Sequence, residues 1–400
     1  QKLRLFTGWP LLLGYFGLPW LNWDGRQSVL FDLPNRQFHI FEMTFWPQDF
    51  VLLAWLLIIS AFGLFFITTW LGRIWCGYTC PQTVWTSIFM WAEQVTEGDR
   101  NARKKLDNAP WSLEKVIKKT LKHGIWISVS ILTAITFVGY FTPVKQLVAN
   151  IFWFELGPWE AFWLLFFTVA TYSNAGWLRE QVCIYMCPYA RFQAAMFDQD
   201  TLIVSYDPKR GESRGSRKKG VNYQELGLGD CIDCQLCVQV CPTGIDIRDG
   251  LQYECINCAL CIDACNNMMD KMDYPRGLIR YTTEHKLEHE HGKILRPKLV
   301  GYAIALAVMC SMFAYAINSR TPLELDIIRD RNQLYRETAE GLVENTYTLK
   351  IMNMGQTDMQ YKISVGGLAD LTLKGEKEIT LAAGEVLAQP IRVEIDPALL

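Results

Sequence analysis

From Phe50 to Leu71 the chain reads FVLLAWLLIISAFGLFFITTWL, without one charged residue. In lipid such a run has one stable solution, a helix, because only a helix satisfies every backbone N–H and C=O within the segment. Stretches 124–142, 159–177 and 298–317 also qualify as spans, and 5–23 is a fifth candidate that contains Pro10 and Pro19. A chain that is 50% hydrophobic with 15 Trp exceeds what a soluble core of this size requires. Trp and Tyr gather at the ends of these stretches, where an interfacial belt places them. No cleavable signal peptide is visible, and because the chain opens with Gln1 rather than Met, upstream residues are expected to be missing.

Basic residues set the expected orientation. The connection 73–122 holds Arg73, Arg100, Arg103, Lys104, Lys105, Lys115, Lys118, Lys119 and Lys122, whereas the connection after the first span holds only Arg26 and Arg36, and the one after the third only Lys145. The positive-inside rule makes the first of these cytoplasmic and the other two external. Counting onward, 179–297 is cytoplasmic and everything after Asn318 is outside.

Eight of the thirteen cysteines fall between Cys231 and Cys265, and so within a reducing compartment where metal ligation is a better reading than disulfides. They form two runs, Cys231, Cys234, Cys237, Cys241 and Cys255, Cys258, Cys261, Cys265, each C-x2-C-x2-C-x3-C, the first followed by Pro242. This is the bacterial ferredoxin spacing. Three closely spaced thiolates hold three corners of a cubane, and the fourth cysteine of each run ligates the other cluster. One [4Fe-4S] cluster is therefore expected on Cys231, Cys234, Cys237 and Cys265, and the other on Cys241, Cys255, Cys258 and Cys261. Zinc can use paired C-x2-C units, but four sulfurs per ion leave the regular triplets unexplained. The second run departs from the pattern in placing Asn266, not Pro, after its last cysteine.

A second thiol pattern, C-x3-C-P, occurs twice at the expected cytoplasmic ends of spans, in GRIWCGYTCPQTVW (Cys76, Cys80) and LREQVCIYMCPYARF (Cys183, Cys187). Helical backbone would put each pair on one face. Pro81 and Pro188 suit the first turn of a following helix, whose positive end would lower the pKa of Cys80 and Cys187. Four soft thiolates suit Cu(I) or a redox-active dithiol, against the plainer reading of small packing residues. Cys310, alone in the last span, reads as packing.

With these motifs in order, the chain resembles the cytochrome c oxidase accessory protein family CcoG, also called FixG or RdxA. The resemblance also rests on GLPWLNWDGRQSVLFDLPNRQFHIF from Gly17, TFWPQDF from Thr44 and PRGLIRY from Pro275, and covers nearly the whole length. It implies a membrane-bound di-cluster cupric reductase that converts Cu(II) to Cu(I) for the copper centre of cbb3-type oxidases. On this chain it makes the eight ferredoxin cysteines cluster ligands and Cys76, Cys80, Cys183 and Cys187 the copper-handling, catalytic thiols. The implied partners are the copper ion, copper chaperones, oxidase assembly factors, membrane lipid, an electron donor that is a cytoplasmic reductant or a quinol, and a second copy of the chain. Related NapH-like quinol-linked subunits share both cysteine patterns but not the tail.

Other motifs are weaker. EHKLEHEHGK supplies His285, His289 and His291, which could bind a metal transiently but read better as a solvated charged loop. Met268, Met269 and Met272 beside the second run read as gap-filling over a cluster rather than as Cu(I) ligands. GESRGSRKKG, 211–220, reads as a flexible link, with anionic lipid as the alternative contact. No nucleotide-binding glycine loop, zinc-protease motif or nucleic-acid signature is present.

Beyond the last span, 346–354, 359–365, 376–381 and 386–395 are β-rich runs of an antiparallel, immunoglobulin-like sandwich without cysteine, which is expected to continue past Leu400 and to contact a partner. The expected architecture is thus an α-helical membrane protein with about five transmembrane helices, an inserted ferredoxin-like 2[4Fe-4S] domain and a C-terminal all-β domain. Its divisions are 1–178, 179–297, 298–318 and 319–400. The expected activity is metalloreduction; the rivals are a quinol-linked electron-transfer subunit without copper chemistry and an assembly scaffold with structural clusters.

Overall fold

The computed structural model describes residues 2–399 apart from 24, 224, 289–292, 294, 332, 334, 356 and 369. The chain forms two compact units: 1–20 with 55–139 and 144–311, and 21–54 with 140–143 and 312–400.

The first unit holds the cysteine-rich segment and the greater part of each apolar helix. Among the described residues three helices are long and apolar enough to cross a membrane, including Leu113–Val138 and Pro297–Asn318. The third is the charge-free helix Phe50–Leu71, preceded by the single turn Pro47–Asp49. Two further apolar helices are shorter: Pro158–Tyr172, which continues as π-helix through Leu178, and Lys2–Gly17. Helix Phe50–Leu71 stops at Gly72, whose left-handed backbone (φ 63°) closes the end with an N–H bond to Thr68 O at 2.9 Å. Helix Leu113–Val138 starts at Ser112, whose hydroxyl accepts from Lys115 N. Its Trp126 packs on Phe89 with ring centroids 5.2 Å apart, and Gly176 lets the π-helix close in, since a Cβ there would lie 3.0 Å from the Trp126 ring.

The cysteine-rich segment is framed by an antiparallel strand pair, Ile203–Tyr206 with Ile279–Thr282, in register Val204↔Tyr281 and Tyr206↔Ile279. Buried Val204, Tyr206, Ile247, Met269, Leu278 and Ile279 pack on Cys231, Cys237 and Cys265, so the core of this domain is built around its thiols. The basic run 211–220, expected as a loose link, is ordered against that core. Gly215 N bonds Cys231 O, and Arg217 bonds Gly229 O at 2.6 Å while its guanidinium lies over the Tyr223 and Tyr274 rings.

In the second unit the tail is β-structure. One sheet runs Thr372–Lys374, Val386–Ile395, Val343–Asn353, Leu323–Arg329, with Arg336–Glu337 also on Val343–Asn353; the other pairs Met359–Lys362 with Glu378–Leu381. Inward-facing Leu349, Ile351, Ile379, Leu381 and Ile391 close the core between them, by the period-two alternation expected of strands. Strand Leu323–Arg329 and the small sheet Val29–Asp32, Gln37–Ile40, Met43–Phe45 were not legible as strands from their short runs.

Candidate functional site

The two ferredoxin runs fold into loops of the same shape. Asp233 and Gln235 in the first, and Asn257 and Ala259 in the second, occupy equivalent places between cysteines, and all four are left-handed, with φ between 53° and 60°. Four non-glycine residues held in that region mark a backbone bent to purpose. Each loop turns around a cavity. One is lined by Cys231, Cys234, Cys237 and Cys265; the other by Cys241, Cys255, Cys258 and Cys261, with Cys237 also reaching its wall. The structure thus brings together the two crossed sets that the spacing implied, the fourth cysteine of each run lying in the other run's cavity.

The remaining walls are mainly apolar: Val204, Ile245 and Ile256 in one cavity, Met268, Met269, Leu278 and Ile279 in the other. Met268 and Met269 therefore fill space over the thiols. Burial pushes Cys237 and Cys255 up to about 11 and Cys265 up to about 12, a penalty on the thiolate that a bound metal removes. Among the described residues no three Cys, His, Asp or Glu side chains are placed to hold one metal ion. The thiols surround volumes rather than points, which fits a four-iron cluster and not a zinc ion.

The C-x3-C-P motifs meet beside the second cavity. Cys76 lies in the short helix Ile74–Tyr78 and Cys80 caps helix Pro81–Glu97; Cys183 lies in the π-helix Val182–Met186 and Cys187 caps helix Pro188–Met196. Both prolines take the first helical position, as expected, but each cysteine pair straddles a helix boundary instead of sharing one face. The four thiols are near enough that Cys80, Cys76 and Cys187 all raise the pKa of Cys183. The expected lowering at Cys80 is overturned: burial outweighs the bonds it accepts from the Gln82 and Thr83 amides and its pKa rises. Burial likewise takes Cys76 to about 11, against a 3.3 Å bond from Gln193 Nε2.

Aligning the motifs shows a longer repeat, Trp70-Leu71-x4-Cys76-x-Tyr78-x-Cys80-Pro81 against Trp177-Leu178-x4-Cys183-x-Tyr185-x-Cys187-Pro188. Arg179 (φ 44°) shares a positive φ with Gly72 (φ 63°), its counterpart in the first copy. Arg179 is held there by Glu93 at 2.5 Å, and its carbonyl, with that of Asn174, accepts from Gln82 Nε2, fastening the second motif to the helix that follows the first.

The first copy abuts the cluster domain. A Cβ on Gly77 would lie 2.8 Å from Ile256 O and 2.9 Å from Cys258 Cα, so the C-G-Y-T-C turn rests on the Cys255–Cys258 loop backbone to backbone. Tyr78, 7% exposed, reaches Tyr281. Its counterpart Tyr185 is 73% exposed. Arg73 and Tyr78 were missed as site residues from the sequence; the Trp-Leu and Tyr shared by both copies were the signal that could have flagged Tyr78.

Other candidates stand apart. His285 pairs with Asp200 at 2.9 Å, while His289 and His291 lie outside the described residues. Cys310 is exposed on its helix, so the packing expected of it within the chain is not found.

Comparison with known proteins agrees with this architecture. Residues 178–284 match the 4Fe-4S dicluster domain and residues 313–400 the IG-like fold at the C-terminal of FixG. The chain is 38% identical to the nitrogen fixation protein FixG of Rhizobium meliloti over 90% of its own length and 76% of that protein's. It is 40% identical to protein RdxB of Cereibacter sphaeroides over 98% of itself and 86% of RdxB. Protein RdxA of the same organism is also 40% identical, over 89% of this chain and 78% of RdxA. The crystal structure of a FixG-related protein from Vibrio parahaemolyticus is 42% identical over 20% of this chain and 72% of that one, with a TM-score of 0.19. A dicluster domain of paired four-cysteine cavities, set against long apolar helices and followed by the FixG-type β-domain, places the chain in the FixG/RdxA family of iron–sulfur electron-transport membrane proteins.

Proposed function

We propose that the protein is a membrane-bound cupric reductase, which delivers one electron to Cu(II) at Cys76, Cys80, Cys183 and Cys187 and releases Cu(I) for assembly of the copper centre of a cbb3-type oxidase. The observation that carries this reading is the contact of Gly77 with the Ile256–Cys258 backbone, which sets a soft-donor site against a cluster-binding loop. The [4Fe-4S] clusters, when bound by Cys231, Cys234, Cys237, Cys265 and by Cys241, Cys255, Cys258, Cys261, supply reversible one-electron chemistry.

The chain's own residues supply the rest. Buried thiols deprotonate on binding copper and prefer the monovalent ion, so gaining an electron tightens the complex while Cu(II) favours nitrogen and oxygen. Gln193 Nε2 points a donor at Cys76, and the Glu93–Arg179–Gln82 bridge holds the second thiol pair at the first. Release of Cu(I) to a thiol- or thioether-bearing chaperone needs only ligand exchange.

Five spans, with the cluster domain cytoplasmic and the β-domain external, complete the proposal. Supporting it, successive apolar helices present alternate ends to the cluster side. Arg4, at the start of the first, pairs with Asp263 at 3.7 Å; Trp70, at the end of the next, accepts from Leu202; Arg296, just before the last, bonds Thr69 O. The external domain is assigned partner contact, and the electron donor is a cytoplasmic reductant or a quinol. A Cys80→Ser variant should lose copper reduction with cluster absorbance intact; loss of both would refute the separation of roles, and wild-type reduction would remove the thiols from the mechanism.

A further inference from the structure

Arg73 stands three residues before Cys76 and is 5% exposed. Among the described residues no carboxylate lies within ion-pair distance of it. Its guanidinium donates to Ala190 O at 2.6 Å and to Cys255 O at 3.5 Å and lies 5.1 Å from the centre of the Tyr253 ring. Those partners belong to three elements: the helix after the second C-x3-C-P motif, the cluster loop, and the segment leading into that loop. A buried cation with only neutral partners is costly, and folded proteins retain one where an anion completes it. The internal repeat puts Glu180 where the first copy has Arg73, so the positive charge is particular to one side of the site.

We infer that Arg73 is the counter-charge of the four-thiol site: it selects an anionic thiolate–metal complex, in which a monovalent ion is held by two or more thiolates, over a free or divalent ion. This rests on the copper reading above. Two thiolates on Cu(I) carry a net charge of minus one, which the guanidinium neutralises without being a ligand. Two thiolates on Cu(II) are neutral and gain nothing from it, so the same charge favours the reduced ion. Arg73 acts as a positioning residue through its fork and as an electrostatic one through its charge, and the two are separable.

The test uses the full-length, cluster-loaded protein in detergent with three variants, Arg73→Gln, Arg73→Lys and the double change Cys76→Ser/Cys183→Ser. Cu(I) affinity is read by competition with a colorimetric chelator, and the cluster midpoint potentials by EPR-monitored titration. Arg73→Gln should weaken Cu(I) binding at least tenfold and shift one cluster to a more negative potential, while Arg73→Lys, which keeps the charge, should stay within about threefold of wild type. Wild-type affinity and unchanged potentials in Arg73→Gln would overturn the inference. If Arg73→Gln does not assemble its clusters, Arg73→Lys decides: near-wild-type affinity supports the charge, and an equal loss makes the role structural. Undiminished Cu(I) binding by the Cys76→Ser/Cys183→Ser protein would instead defeat the copper reading itself.

Discussion

The Tyr78 hydroxyl lies 3.0 Å from that of Tyr281, and the Tyr281 hydroxyl donates a 2.7 Å hydrogen bond to the carbonyl of Asn257, between Cys255 and Cys258. Each phenol has one proton, so Tyr78 must be the donor to Tyr281. Burial keeps Tyr281 protonated far above neutral pH. The chain of bonds ties the first C-x3-C-P turn to a cluster loop. Tyr281→Phe strips a partner from both ends and should cost about 1–3 kcal/mol, whereas Tyr78→Phe should cost about 1 kcal/mol, and the double variant less than the sum. Urea-induced loss of cluster absorbance measures all three.

Gly77 tests the same contact sterically. Alanine would drive its Cβ into backbone on the cluster loop, which cannot rotate away, at a cost of about 1–3 kcal/mol. Gly77→Ala should therefore weaken retention of the cluster on Cys241, Cys255, Cys258 and Cys261. Gly14→Ala, with nothing within 4 Å, is the control and should leave iron content unchanged.

Crossed ligation predicts which cluster each late cysteine serves. Cys265 lines the cavity of the first run's triplet and Cys241 that of the second. Cys265→Ser and Cys241→Ser should each leave about four iron atoms of about eight, with different EPR signals remaining. A residual signal in Cys265→Ser that matches that of Cys255→Ser rather than that of Cys231→Ser would show that ligation is not crossed.

Cys76 gives a pH prediction. A thiol raised by burial to about 11 is protonated at neutral pH, and its thiolate fraction grows tenfold per pH unit until that value is reached. Alkylation of Cys76 in the metal-free thiol site, read by peptide mass spectrometry, should climb at that rate from pH 7 to 10. Cu(I) affinity should rise with pH over the same window, because fewer protons must be displaced.

Much of this was legible because it depends on local periodicity. The charge-free stretch 50–71 can only be a helix in lipid, and the spacing of Cys231, Cys234 and Cys237 fixes a loop around a cluster whatever surrounds it. What escaped depends on neighbours distant in sequence. Arg73 looks like one basic residue among many until the fold buries it between Ala190 and Cys255, and Cys80 looks activated by its helix until burial opposes that end. The run 211–220 has the composition of a link, yet Arg217 finds Tyr223 and Tyr274, which no local pattern announces.

The most direct test of copper reduction is anaerobic: reduce the cluster-loaded protein, remove the reductant, add Cu(II), and follow cluster absorbance and Cu(I) together. Cluster reoxidation should be matched by Cu(I), about two per protein, and lost when Cys76, Cys80, Cys183 and Cys187 become serine. Clusters that stay reduced beside Cu(II), or that reoxidise equally in the serine variant, would contradict copper reduction at those thiols.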